Sequence, residues 1–104
     1  MSVVSVYAVF ANAEEAERIG RIVVEERLAA CINILSPVRS FYRWKGGVES
    51  ADEAAAILKT SDAAADRLVA RIAALHSYDV PCIATWPIDK ILADYAAWVE
   101  DSVG

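Results

Sequence analysis

The side chains able to do chemistry are few and scattered. His76 is the only histidine, and Cys31 and Cys82 are the only cysteines. A single imidazole can ligate a metal or shuttle a proton, but at a helix C-terminus its plainer work is to cap carbonyls and favour the dipole. The two thiols lie far apart among apolar neighbours, which is the setting of buried, reduced cysteines and not of a disulfide framework. Glu53 and Lys59 share one parity of a strand-like run, so they can line one sheet face without touching each other. That pair fits an intersubunit polar pocket as well as a solvated rim. Tyr42 and Trp44 also share a face, and each carries a polar handle suited to an interface that is apolar at one end and hydrogen-bonded at the other.

The elements that position these residues follow from hydrophobic periodicity. Val3 to Phe10 is rich in β-branched and aromatic residues at both parities, which predicts a strand covered on two faces. Asn12 and Glu15 have the spacing of a helix cap and its partner, and Ala16, Ile19, Ile22 and Val23 repeat on one helical face, predicting a helix over 13–28. Cys31 to Trp44 reads as one long strand bent at Pro37, where the missing N–H requires a sheet edge or a bulge. Gly46-Gly47 supplies a tight hairpin, and the chain returns from Val48 to about Thr60. Thr60 or Ser61 then caps a helix carrying Ala65, Leu68, Ile72 and Leu75 and ending near His76. Val80 to Ile88 reads as the last strand, and Ile91, Leu92, Tyr95, Trp98 and Val99 form the stripe of a C-terminal helix.

That order is βαββαβ plus a helix, and right-handed crossovers turn it into an α+β, ferredoxin-like sandwich with a long bent central hairpin. Residues 1–104 suffice for one domain with one core. The 57% hydrophobic content is inflated by alanine, so small side chains and not large ones make up the surplus. Phe41, Tyr42 and Trp44 on the hairpin leave a broad aromatic surface, and other subunits are its natural cover.

Several function classes lack their residues. A net charge of −5 with scattered Lys and Arg argues against nucleic acid. No run of about 18 apolar residues is present to span a bilayer. Met1-Ser2-Val3-Val4 leads directly into a strand with no signal-peptide pattern, so the cytoplasm is the expected compartment. Ala11-Asn12-Ala13-Glu14 offers no Cys-x-x-Cys for copper transfer and no glycine-rich phosphate cradle, and Val48 to Leu58 is too acidic for an RNA-recognition strand. No Ser-His-Asp group or two-His metal site occurs, and no enzyme is expected.

A resemblance rests on several ordered motifs: Ala29-Ala30-Cys31-Ile32-Asn33-Ile34, Ser40-Phe41-Tyr42-Arg43-Trp44-Lys45-Gly46, Glu53 with Lys59-Thr60, and His76-Ser77-Tyr78-Asp79-Val80-Pro81 with Tyr95 and Trp98 downstream. Over nearly its whole length the chain resembles the CutA family of divalent-cation-tolerance proteins. The resemblance implies a homotrimer with hairpins pairing between subunits and a role in tolerance of divalent metal ions, through binding or scaffolding. It also sets Tyr78 beside Tyr42, Trp44, Glu53 and Lys59 as interface or pocket residues.

Ser77 stands where the family usually has Pro, Cys82 where it has Glu, and Asp89-Lys90-Ile91 where it has Gly. Replacing that Glu by Cys82 makes the ligand set near His76 softer, favouring Cu(I) or Zn(II). Two ligands fall short of a structural zinc site, and a third must come from water, another subunit or Cys31, so weak copper or zinc binding at His76 and Cys82 is expected, with a fold that needs no cofactor. The alternative is a sensor resembling the PII trimers, binding a small anionic ligand through Arg43 and Lys59 in subunit clefts.

Overall fold

The computed structural model describes residues 2–104; Met1, the start of the expected strand entry, lies outside them. The element order is β1 (Val3–Phe10), α1 (Ala13–Glu25), β2 (Cys31–Trp44), β3 (Gly47–Ser61), α2 (Asp62–Leu75), β4 (Ile83–Pro87) and α3 (Ala93–Ser102). The four strands form one antiparallel sheet in the order β2-β3-β1-β4, as the ferredoxin-like topology requires.

Alternation along the strands separates two faces. Val6, Ala8 and Phe10 of β1 and Ala54, Ala56 and Leu58 of β3 are buried beneath Ala16, Ile19 and Val23 of α1 and Leu68 and Ile72 of α2. Ala54 and Ala56 put small side chains on β3 beneath the helices, one place where the alanine surplus is used. On the other face α3 covers one end only, with Val99 packed against Val3 and Ala30 beside Ile91 and Tyr95.

The helix ends show their causes. Asn12 Oδ1 accepts from Glu15 N–H at 2.8 Å, the expected cap. The first helix stops at Glu25, short of the expected residue 28, because Arg27 turns left-handed at φ 62°. Leu28 N–H then bonds Val23 O and Arg27 N–H bonds Val24 O, a Schellman ending reached without glycine. Ser61, and not Thr60, caps α2 through Ala64 N–H. Thr60, fully buried, instead donates to Leu28 O at 2.7 Å and ties β3 to the end of α1.

Pro37 meets both conditions its chemistry allows. It lies on an outer strand, and between Leu35 (facing Ala55) and Val38 (facing Glu53) two β2 residues oppose the single Ala54 in a bulge. The bulge places Val38, Ser40, Tyr42 and Trp44 opposite Glu53, Ala51, Glu49 and Gly47. The tight turn uses Lys45 (φ 47°) and Gly46 (φ 83°), with Gly47 already paired to Trp44, so the expected Gly46-Gly47 turn is shifted by one residue.

The last strand is shorter than expected. Only Ile83–Pro87 pairs fully with β1; Pro81 cannot donate, and Val80 is 82% exposed. Cys82 O accepts from Val9 N–H at 3.1 Å and anchors the loop to the sheet.

Candidate functional site

The segment 76–82 crosses the end of β1 and meets the base of the outer hairpin. His76 follows the last turn of α2, and its ring stacks on Phe10 with centroids 5.2 Å apart. Nδ1 accepts the Tyr78 N–H at 3.0 Å and Nε2 lies 2.7 Å from Val9 O, an arrangement satisfied when Nε2 carries the proton. Both ring nitrogens thus serve the backbone. The ring fastens the loop to β1 and makes no capping bond to the helix carbonyls; the helix end is closed by the His76 N–H on Ala73 O.

Glu15 fastens the same loop from the other side. Its carboxylate is buried and accepts from Ala11 N–H and Ser77 N–H, each at 3.0 Å. A proline at position 77 could not make the second bond. Burial pushes this carboxyl up, but hydrogen bonds from Ser77 and Ala11 and the nearby His76 outweigh it, so its pKa lies below the ordinary value. The cap spacing in the sequence signalled Glu15; its bond to Ser77, 62 residues away, had no local signal.

Tyr78 completes the connection. Its hydroxyl donates to Glu53 Oε2 at 2.7 Å. Burial, then the hydrogen bond to Glu53 and the charges of Glu53 and Glu15, push the phenol up to about 12, so it stays a donor near neutrality. Between this loop and the hairpin lies a cavity of about 600 Å³. Tyr42, Arg43, Trp44, Glu49 and Glu53 line it from the hairpin, and Tyr78, Asp79, Val80 and Cys82 from the loop.

The expected pocket residues therefore divide. Tyr42, Trp44, Glu53, Tyr78 and Cys82 share the cavity, whereas Lys59 sits further along β3, opposite Cys31 and Ser5, and does not line it. Arg43 reaches the cavity without Lys59, so within one chain the two cations of the anion-sensor reading are not brought together. Three carboxylates face that single guanidinium. Glu49 and Asp79 are lining residues the sequence reading did not single out, although the hairpin register sets Glu49 directly opposite Tyr42.

The thiols depart from the expected burial. Cys31 is half-buried, with its sulfur 3.4 Å from the Tyr95 hydroxyl. That contact, together with burial, pushes the Tyr95 phenol up to about 12. Cys82 is exposed, because the run that reads as a buried strand is a loop there. Among the described residues, no group of three or more His, Cys, Asp or Glu converges as a metal cluster. None of their helices is long and apolar enough to cross a membrane.

Comparisons with known proteins agree with this architecture. A divalent-cation tolerance protein CutA of Archaeoglobus fulgidus is 39% identical over 98 residues, covering 94% of this chain and 95% of that protein. One from Thermotoga maritima is 40% identical, covering 94% and 96%. The crystal structure of CutA1 from Oryza sativa superposes with a TM-score of 0.97 at 33% identity, covering 100% of this chain and 95% of that one. A structure from Archaeoglobus fulgidus, described as a periplasmic divalent cation tolerance protein, gives 0.95 at 37% identity, covering 98% and 99%. Residues 4–102 match the CutA1 divalent ion tolerance protein family, and the chain belongs to it.

Proposed function

We propose that the chain acts as a homotrimer in the response to divalent metal ions, by binding or scaffolding and not by turnover. The observation that carries the assembly is the outer hairpin. Phe41 is 70% exposed, Trp44 51% and Val48 68%, on a pair of long strands whose β2 edge has no partner strand among the described residues. An unpartnered edge beside apolar side chains favours pairing with another copy. Family membership supports the link to metal tolerance. Two free thiols suit a reducing compartment, and the cytoplasm is the proposed location.

Metal binding is proposed to be weak and to involve copper or zinc at His76 and Cys82. The exposed Cys82 offers a soft ligand, while His76 must exchange one of its backbone bonds to become another. Folding then does not depend on metal. Titration of Cu(I) and Zn(II) into the wild type and the His76→Ala, Cys82→Ser double variant tests this. Weaker binding by the variant supports the site, equal affinities remove it, and unfolding by a chelator contradicts the metal-independent fold.

A further inference from the structure

We propose that Tyr78 braces the outer hairpin at the angle assembly requires, so that the 76–82 loop governs the association of copies through a bond within one chain. This rests on the assembly reading and adds to it a device that aims the arm.

The first ground is where the hairpin loses support. The β1–β3 ladder ends at Phe10 and Ala54, and the bulge between Leu35 and Val38 bends β2 opposite that same alanine. Beyond this level Val38–Trp44 and Gly47–Glu53 form a two-stranded ribbon, an arrangement that is marginal without further support. At about 3.3 Å per residue the arm is about 23 Å long, so a pivot of about 12° at the bulge moves its tip by about 5 Å, one strand spacing. An arm misaimed by that much meets another copy out of register.

The second ground is that the arm has a single tie. Among the described residues, the bond from the Tyr78 hydroxyl to Glu53 Oε2 at 2.7 Å is the one hydrogen bond or ion pair joining 38–53 to anything outside the hairpin. The bonds from Arg39 to Asp52 and Ser50 stay within it. Glu53 is the first β3 residue past the β1 ladder, so the tie takes over where backbone pairing to β1 stops.

The third ground is a fixed base. Tyr78 N–H donates to His76 Nδ1 at 3.0 Å, the His76 ring stacks on Phe10 with Nε2 2.7 Å from Val9 O, and Ser77 N–H donates to Glu15 Oε2 at 3.0 Å. The brace therefore stands on β1 and α1. Holding an interface element in its bound geometry raises affinity by lowering the cost of ordering it.

The test is a double-mutant cycle on the whole chain with Tyr78→Phe, Glu53→Ala and the two combined, read as the concentration of half-dissociation in sedimentation. Each single variant is expected to raise that concentration about tenfold, and the combination no further, because both remove the same bond. Glu53→Gln keeps an acceptor for the hydroxyl and is expected to stay within about threefold of wild type. Additive losses overturn the brace, because the two residues then act separately, and so does no loss at all. Hydrogen exchange over 38–53 is the second readout: Tyr78→Phe is expected to speed it about threefold or more, and unchanged exchange overturns the brace. Exchange also decides when Glu53→Ala misfolds or the particle does not dissociate at measurable dilution. A monomeric wild type contradicts the assembly reading and with it the role of the brace, whereas an assembled wild type with unchanged exchange in Tyr78→Phe contradicts the brace alone.

Discussion

The inner and outer halves of the β2–β3 hairpin belong to one pair of strands but have opposite surroundings. In the inner half, Ala54, Ala56, Leu58 and Thr60 lie under α1 and α2 and are all but sealed from solvent. Beyond the Pro37 bulge, Phe41, Tyr42, Trp44 and Val48 carry comparable apolar surface and no helix covers them. The chain's own core therefore stabilises the inner half, whereas the outer half would be stabilised by another copy in the proposed assembly. Exposed cross-strand bonds such as Arg39 to Asp52 at 3.0 Å hold the arm's shape but contribute little to its stability.

The largest effect separating the halves is expected in the inner one. Leu68 is fully buried against β1 and β3, and Leu68→Ala should destabilise the fold by about 3 kcal/mol or more, read from urea unfolding. In the outer half, Trp44→Ala should weaken assembly by about 2 kcal/mol, read from sedimentation across a concentration series. The dissociated chain should lose only about 0.5 kcal/mol, as expected of a half-exposed side chain. An unchanged assembly would place Trp44 on a free surface. Thr60→Val should cost about 1–2 kcal/mol by leaving the Leu28 carbonyl without its hydroxyl donor, and a neutral result would show that water replaces it.

The pattern of what the sequence disclosed follows the same division. Asn12 with Glu15, Ser61 before α2, and Pro37 at an edge and bulge were legible because each acts on backbone within a few residues. The end of α1 was misplaced because Leu28 continues the apolar rhythm while Arg27, with no glycine to announce it, turns left-handed. Val80 to Cys82 looks like buried strand by composition alone, and Pro81 is the residue that should have shortened it. The candidate site was only partly legible. Tyr42, Trp44, Glu53 and Tyr78 were singled out, but the bonds from Tyr78 to Glu53 and from Ser77 to Glu15 join residues 25 and 62 positions apart. Such pairings exist only once the sheet order brings the loop to the hairpin.

Two pH dependences sharpen the account of the loop. The depressed pKa of Glu15 means its contribution is present above the unfolded carboxyl value and lost as pH falls through the folded one. Glu15→Gln should therefore be less stable than wild type near neutrality and should lose less on acidification. Equal acid sensitivity of the two would show that Glu15 does not hold the loop. A smaller effect is expected at the alkaline end, where Tyr78 and Tyr95 are raised to about 12. Their contribution is present below the ordinary phenol value near 10 and lost as pH rises from there toward 12. Ultraviolet titration should show late phenolate formation that Tyr78→Phe reduces, and a single early transition would contradict it.

Other copies of the chain are proposed to complete the outer hairpin, and the mass of the wild-type protein by light scattering at micromolar concentration tests this most directly. A stable particle of three chains is expected, and a stable monomer would contradict the account.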